Sequence, residues 1–220
     1  NGVNPTGIIY TRSEMQALMA TANELGLLVI SDEVYSALVY TDDEYVSCGS
    51  FPEYKDNVVV VQSASKSFAM TGWRVGFLFC RKDLIDVMSA LSTQSTTGVS
   101  LICQHGALAA FKNAKQINAW VRDTMKIRRD IFVDSFRKHF GIQLEYPKAT
   151  LYVFASLDSL GVKNLSDEEF CIRALEEANV ATVPGSAFGQ AGYVRFSYGA
   201  DEGDLDGGLE NLAKFIKSLN

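Results

Sequence analysis

Apolar residues in the first part of the chain recur at two spacings, which predict a helix followed by a strand. Between residues 15 and 22 they lie three and four positions apart, as on one face of a helix. Thr11 and Glu14 have the spacing of a capping box at the start of that helix, and Gly26 suits its left-handed end. Residues 27–31 then form a continuous apolar run. The run predicts a strand buried on both faces, as parallel strands are.

The same periodicities predict the remaining elements. Before residue 115 they indicate strands at 58–63 and 75–80 and helices at 83–91 and 100–111. Further along they indicate a long amphipathic helix at 119–140, strands at 151–156, 180–183 and 193–198, and helices at 166–179 and 205–219. Ser166 and Glu169 form a second capping box. We therefore predict an α/β fold: part of a mostly parallel-sheet large domain at 1–115, a bridging helix at 116–140, and a small α+β domain at 141–220.

Composition restricts the class of protein. The chain has 220 residues, of which 47% are apolar and 21% are charged, a balance typical of folded domains and not of disordered chains. Its apolar runs fall well short of the roughly 18 residues that a membrane-spanning helix needs. A formal charge of -6 provides no basic surface for nucleic acid or anionic lipid. We expect a small-molecule partner.

Cysteine and histidine positions argue against disulfides and metal. Cys48, Cys80, Cys103 and Cys171 are irregularly spaced and form no CxxC pair, so neither a disulfide framework nor a zinc ribbon is indicated. The chain has 2 histidines, and neither lies in an HExxH motif. We expect a reducing compartment, the cytoplasm, and no metal site.

The carboxyl ends of two predicted strands carry polar side chains. Asp32 and Tyr35 follow the strand at 27–31, while Ser63, Ser65 and Lys66 follow the strand at 58–63. In open parallel sheets this edge is where ligands bind. Taken alone, Lys66 is an ordinary surface lysine and Asp32 an ordinary turn or capping residue. Their joint placement favours a ligand site.

These residue types match the needs of pyridoxal phosphate. A lysine that forms an imine needs an accessible neutral amine, which burial and a nearby cation such as Arg74 favour. The cofactor also needs an acid at its ring nitrogen, donors to its phenolic oxygen, and a hydroxyl with a guanidinium at its phosphate. In that order these roles fit Asp32, then Tyr35 with Asn4, then Ser63 or Ser65 with Arg74. Gly72 and Gly76 would let the backbone approach a ligand closely.

Five sequence strings resemble the fold type I pyridoxal-phosphate-dependent aminotransferases of class I. They are NPTG at 4–7, SDEVY at 31–35, SASKSFAMTGWRVGF at 63–77, PGSAFG at 184–189 and VRFSY at 194–198. They follow the family's order with compatible gaps and span nearly the whole chain, which makes the match specific. The segment at 95–111 is similar, more loosely, to the bacterial aspartate aminotransferase branch. The domain at 1–115 then corresponds to part of the family's cofactor domain.

The resemblance implies a role for each matching residue. Lys66 would bond covalently to the cofactor and later move a proton between the substrate's α-carbon and the cofactor. Asp32 would pair with the ring nitrogen, and Tyr35 and Asn4 would hold the phenolic oxygen. The phosphate would be bound by Ser63, Ser65 and Arg74. Arg195, with Asn4, would bind the substrate, its guanidinium taking the α-carboxylate in a two-pronged contact.

The chain also departs from the family pattern. It begins NGVNPTG, with neither an initiator Met nor a signal sequence, and the family's second phosphate-binding turn and its ring-stacking aromatic precede NPTG. Gly2 stands where the family commonly has Pro, and Ala149 or Thr150 stands where it has Gly. We predict an N-terminally truncated chain that is itself inactive or weakly active.

The implied reaction is ping-pong transfer of nitrogen from an amino acid to a 2-oxo acid, with an aspartate-like substrate favoured. The resemblance also implies a homodimer in which residues 93–100 approach the partner's site. Two alternatives stay open: a non-catalytic fragment of such an enzyme, and a same-fold enzyme of carbon–sulfur elimination, decarboxylation or ring closure. A nucleotide-binding module is disfavoured, because the chain has no GxGxxG after a strand and no GxxxxGK.

Overall fold

The computed structural model describes residues 1–219, which divide into two compact units. The first unit comprises Asn1–Gly2 and Ile8–Arg122, and the second comprises Val3–Gly7 and the chain from Asp123 onward. Helix α5 (Ala114–Phe140) contributes residues to both. The predicted domain limits at 115 and 140 stay predictions. Within the described residues, no helix combines the length and apolar character needed to cross a membrane.

A three-stranded sheet in the order β1-β2-β3 forms the centre of the first unit. Its strands are β1 (Val29–Asp32), β2 (Val58–Ser63) and β3 (Gly76–Phe79). β1 and β2 are parallel, with Val29 beside Val58, and β2 and β3 are antiparallel, with Ser63 beside Gly76. All three strands were predicted from the apolar runs.

Local capping signals fix the first helix, α1 (Arg12–Glu24). The Thr11 Oγ1 accepts the Glu14 N–H at 3.3 Å, and the Glu14 carboxylate accepts the Thr11 N–H at 2.7 Å. Gly26 ends the helix with a φ of +66°, a backbone region that glycine enters without steric cost. The predicted capping box and stop are both confirmed. The remaining helices of this unit are α2 (Ala64–Ser67), α3 (Lys82–Ser95), α4 (Leu101–Lys112) and the beginning of α5.

The prediction that residues 27–31 are buried on both faces is wrong. Helix α1 covers one face, where Met15 and Met19 pack in a core with Val58 and Val60, and Val29 packs against that core. The alternate residue Ile30 is 68% exposed. β1 is an edge strand, and Ile30 stays exposed there, whereas its register partner Val59 on β2 is 1% exposed.

The second unit contains an antiparallel sheet in the order β4-β6-β5. Its strands are β4 (Tyr152–Ser156), β5 (Val183–Pro184) and β6 (Tyr193–Ser197). Helices α6 (Asp167–Ala178) and α7 (Glu202–Ser218) complete the unit with the later part of α5. Phe132 and Phe136 of α5 pack against Phe196 of β6, with ring centroids 5.9 and 5.8 Å apart.

One strand and one capping motif of the second unit are less complete than predicted. The strand expected at 180–183 is reduced to Val183–Pro184, because Asn179 ends α6 in a left-handed conformation and the Val180 N–H bonds back to the Ala174 carbonyl at 3.0 Å. Only half of the second capping box forms. The Ser166 Oγ accepts the Glu169 N–H at 3.1 Å, but among the described residues the Glu169 side chain returns no bond.

Candidate active site

The register of the first sheet brings four of the predicted residues to one edge. Because β1 and β2 are parallel, Asp32 lies beside Val61 and both strands end on the same side. Ser63 is the last residue of β2, and Lys66 follows it on α2. β3 runs in the opposite direction and begins at Gly76 beside Ser63, so Arg74 precedes it at this same edge. Tyr35 follows Asp32 in a turn and is buried.

Ser63 ties the start of α2 to the residue that follows Arg74. Its Oγ accepts the Ser65 N–H at 3.0 Å and donates to the Val75 carbonyl at 3.2 Å. The Ala64 N–H donates to the same carbonyl at 3.0 Å. These bonds hold the segment that carries Lys66 against the segment that carries Arg74.

The backbone at Arg74 is strained. Its φ is +55°, in the left-handed region, where a residue with a Cβ costs about 1 kcal/mol or more. The guanidinium is exposed and donates from Nη1 to the Thr71 carbonyl at 3.2 Å, which leaves several of its donors for a ligand. The preceding residue, Trp73, lies against Gly106 of α4, where any Cβ would collide with the indole ring. Gly106 therefore allows this loop to lie close to α4.

The acid and the amine at this edge remain available to a ligand. Asp32 is exposed, and its Oδ1 accepts the Val34 N–H at 3.2 Å. Lys66 is half-buried, and within residues 1–219 its ammonium makes no hydrogen bond or ion pair.

Glu33, between Asp32 and Tyr35, is a buried carboxylate that sequence reasoning missed. It is 1% exposed, and its Oε1 accepts the Ser31 hydroxyl at 3.0 Å, the Ser47 hydroxyl at 2.9 Å and the Cys48 N–H at 2.9 Å. These bonds fasten the end of β1 to the segment at 47–48. Burial, and then the nearby charge of Glu33, raise the pKa of Tyr45 far above that of an ordinary phenol.

Asn4 and Arg195 come together in the second unit. Arg195 lies in the middle of β6, opposite Phe154 of β4, and its Nη1 donates to the Asn4 Oδ1 at 3.0 Å. Its guanidinium carbon also lies 4.1 Å from the centre of the Tyr152 ring and 4.9 Å from that of the Phe188 ring, both within cation–π range. The amide and the two rings hold the guanidinium in place.

Thr150 lies two residues before Tyr152 in the chain and has a backbone conformation that favours glycine. Its φ is +73°, which is unfavourable for a β-branched residue, and its side chain is fully buried. The Tyr198 hydroxyl donates to its carbonyl at 3.0 Å, and the Ala149 N–H bonds to the Gly7 carbonyl at 3.0 Å. Of the two positions at which the family's glycine was missing, Thr150 is the one with a positive φ.

The polar groups at the sheet edge fit pyridoxal phosphate, the cofactor that the family resemblance implies. An exposed carboxylate, an amine without an internal partner and a guanidinium with spare donors meet the needs of a ring nitrogen, an aldehyde and a phosphate in turn. Ser65 lies on α2 next to Lys66, whereas the Ser63 hydroxyl already donates to the Val75 carbonyl. Within residues 1–219 no group of three or more His, Cys, Asp or Glu side chains is placed to hold a metal ion.

Comparison with known proteins yields a consistent set of similarities. The family pattern for aminotransferase class I and II matches residues 1–212. A probable aspartate/prephenate aminotransferase of Aquifex aeolicus is 36% identical over 98% of this chain and 56% of its own length. The aromatic aminotransferase structure of Pyrococcus horikoshii has a TM-score of 0.89 at 31% identity, covering 100% of this chain and 59% of that one. Thermus thermophilus aspartate aminotransferase with maleate has a TM-score of 0.86 at 32% identity, covering 97% and 55%. The chain spans about half the length of the curated relatives it matches.

Proposed function

The chain belongs to the class I and II aminotransferase family, and from this premise we propose that the whole protein transfers an amino group from an amino acid to a 2-oxo acid with pyridoxal phosphate as its cofactor. The observation that carries the proposal is the sheet edge, where the register brings Asp32, Lys66 and Arg74 to one side of β1 and β2. Each of these groups has chemistry that the cofactor requires and keeps that chemistry available.

Three sets of residues would hold the cofactor. Asp32 would keep a proton at the ring nitrogen, and Tyr35 with Asn4 would hydrogen-bond the phenolic oxygen. Arg74 and Ser65 would bind the phosphate, for which a guanidinium provides charge and paired donors. Ser63 would join them by turning its hydroxyl away from the Val75 carbonyl. When bound, pyridoxal phosphate acts as an electron sink that makes the substrate's α-proton removable.

Lys66 would act as the base. Its Nζ would accept the α-proton of the substrate and later return it, a role that contributes about 10²- to 10⁴-fold to a rate. The short helix α2, capped by Ser63, presents this side chain directly after β2. The absence of an internal partner among the described residues leaves the amine able to react.

Arg195 would bind the α-carboxylate of the substrate. Its planar fork offers two parallel N–H groups, a geometry that lysine cannot supply. We favour a dicarboxylic substrate of the aspartate type, because relatives carry that name and a similar structure holds maleate, a dicarboxylate.

Residues 93–100 would approach a partner's site in a homodimer, and the exposed apolar side chains Leu91, Leu101 and Ile102 flank that segment. The free thiols of all 4 cysteines fit the cytoplasm.

Titration with pyridoxal phosphate tests the cofactor site. The wild-type chain is expected to bind weakly but saturably, with a new absorbance band that the Lys66→Ala variant lacks. Lys112→Ala, an exposed lysine on α4, is the matched control and should behave as wild type. An unchanged band in Lys66→Ala would contradict the assignment, and no saturable binding by the wild type would favour the non-catalytic fragment. Product analysis with several amino acids separates transamination from elimination and decarboxylation.

A further inference from the structure

A buried carboxylate in the second unit holds a loop in place. Asp167, the first residue of α6, is 4% exposed, and its Oδ2 accepts the Ser186 N–H at 2.6 Å. Burial by itself would raise the pKa of Asp167, but the bonds from Ser186 and the Gly192 backbone outweigh it, and the pKa lies below its usual value. Asp167 therefore binds the loop between Gly185 and Gly192 as an anion.

This loop is tightly folded. The Gln190 N–H donates to the Gly185 carbonyl at 3.0 Å, and the Gly189 N–H donates to the Ser186 carbonyl at 3.1 Å. A Cβ at Gly185 would collide with the Gln190 carbonyl oxygen and would also press on Tyr193. The two internal hydrogen bonds and the close packing at Gly185 link the backbone at Ser186 to the rest of the loop.

The side chain that matters on this loop is Phe188. Its ring centre lies 4.9 Å from the guanidinium carbon of Arg195, and the ring packs edge-on against Phe154, with centroids 6.2 Å apart and planes at 82°. Phe154 in turn stacks on Tyr193 at 5.0 Å. The Arg195 guanidinium therefore lies against a ring that is carried by the loop bonded to Asp167.

We propose that Asp167 is a positioning residue for Arg195: through the loop at 185–192 it sets Phe188 against the guanidinium and so prepares it for a carboxylate ligand. The inference rests on the proposed function, in which Arg195 binds the substrate's α-carboxylate. An arginine that is already held loses less rotamer freedom when a ligand binds, so preparation of this kind increases affinity.

The variant Asp167→Asn isolates the effect. The amide keeps the size of the side chain but has one acceptor oxygen, and its NH₂ would face backbone N–H donors. Helix α6 keeps its cap, because Ser166 and not Asp167 accepts the Glu169 N–H. Glu169→Gln removes the same charge from the same helical turn at an exposed side chain and is the matched control.

The first readout is the NMR signal of the Arg195 guanidinium in the 220-residue chain labelled with ¹³C,¹⁵N-arginine. The rings of Tyr152 and Phe188 shift this signal, which Arg195→Lys assigns by its loss. Phe188→Leu measures the part of the shift due to Phe188. In Asp167→Asn the Arg195 signal is expected to lose at least half of the shift due to Phe188. In Glu169→Gln it is expected to keep all of that shift. An unchanged Arg195 signal in Asp167→Asn, with a changed one in Phe188→Leu, overturns the proposal.

The second readout is titration with maleate, followed by the same signal. Asp167→Asn is expected to bind maleate about tenfold more weakly than the wild type, and equal affinity overturns the proposal. If maleate does not move the wild-type signal, the proposed role of Arg195 fails, while the ring-shift comparison still decides whether Asp167 positions it.

If Asp167→Asn does not fold, Ser186→Pro removes the donor instead of the acceptor and is expected to give the same loss of ring shift. An unchanged ring shift in that variant overturns the proposal.

Discussion

Individual backbone positions determine the geometry of both candidate sites. The loop between Lys66 and Arg74 contains two left-handed residues, Ala69 with a φ of +53° and Arg74 with a φ of +55°. In the second unit Thr150 has a φ of +73°. Such conformations persist only where the surroundings enforce them, and they concentrate at functional sites. Here Arg74 is itself assigned to the cofactor, and Thr150 lies two residues before Tyr152, whose ring contacts the Arg195 guanidinium.

Glycine at 185 is required by space and not by φ. We expect Gly185→Ala to destabilise the chain by about 1 to 3 kcal/mol, because its Cβ meets a backbone oxygen that cannot move freely. Gly207→Ala is the control. It lies inside α7 with open space around it, and alanine there should stabilise by about 0.5 to 1 kcal/mol. Urea unfolding of both variants measures the difference, and equal effects of one sign would contradict the packing argument.

Glu33 is expected to matter for stability through the donors it satisfies. Glu33→Ala would leave the Ser31 hydroxyl, the Ser47 hydroxyl and the Cys48 N–H without their acceptor, at a cost of about 3 kcal/mol in the free energy of unfolding. Glu33→Gln keeps one acceptor oxygen and should cost clearly less. Urea unfolding again gives the values. A result in which Gln is as harmful as Ala would show that the charge, and not the acceptor, is what matters.

At the scale of elements, the sequence predicts what depends on local bonds. Both ends of α1 follow from Thr11, Glu14 and Gly26, which act within a few residues of themselves. The burial of residues 27–31 was predicted wrongly because it depends on what other elements cover. For the same reason the buried carboxylates Glu33 and Asp167 were missed: Asp167 lies in the predicted cap SDEE, and only the tertiary contact with Ser186 distinguishes it from its exposed neighbours.

The packing of α1 on the sheet gives a direct test of its buried face. Met19 is 1% exposed in the core with Val58 and Val60, whereas its neighbour Leu18 is 44% exposed. Met19→Ala should lower the free energy of unfolding by about 2 to 5 kcal/mol, because it removes buried atoms and leaves a cavity. Leu18→Ala should change it by less than about 1 kcal/mol, as surface substitutions do. Similar losses for the two would mean that α1 does not pack as described.

The contact between α5 and α7 in the second unit should depend on pH. Asp206 accepts from Lys138 at 2.9 Å and bonds to His139 at 2.9 Å, and these bonds hold the pKa of Asp206 well below its usual range. A carboxyl with a lowered folded-state pKa stabilises above its unfolded pKa of about 3.9 and loses that contribution as pH falls through the folded value.

We therefore expect the stability of the wild type to fall more steeply than that of Asp206→Asn as pH is lowered below about 4, by about 1 kcal/mol or less because the pair is partly exposed. Asp158→Asn, an exposed carboxyl in the same unit, is the control and should keep the wild-type slope. Urea unfolding at a series of pH values measures it. Parallel curves for the wild type and Asp206→Asn would contradict the assignment.

At the scale of the whole molecule, the predicted site residues divide between the two units. Asp32, Tyr35, Ser63, Ser65, Lys66 and Arg74 lie in the first, and Asn4 and Arg195 lie in the second. The strand pattern was sufficient to predict that Asp32, Tyr35, Ser63, Ser65 and Lys66 gather at one sheet edge, because parallel strands end together. Arg74 joins them because β3 is antiparallel, which the strand pattern did not indicate. The contact of Asn4 with Arg195 joins residues from opposite ends of the chain. The family resemblance assigned both residues to substrate binding, and the hydrogen bond between them was not predicted.

Both outer strands of the first sheet carry exposed apolar side chains. Ile30 and Phe79, on the two outer strands of the first sheet, are 68% and 58% exposed, and the chain spans about half the length of its curated relatives. The residues of the sheet edge lie within this chain, so the proposed cofactor site can be tested in it.

Chemical trapping of the cofactor tests the central claim most directly. The chain is incubated with pyridoxal phosphate, reduced with borohydride, digested and mapped by mass spectrometry. We predict a single modified residue, Lys66, with the modification lost in Lys66→Ala. Modification of another lysine, or an even spread over the exposed lysines with Lys66 unmodified, would contradict the assignment of the cofactor site.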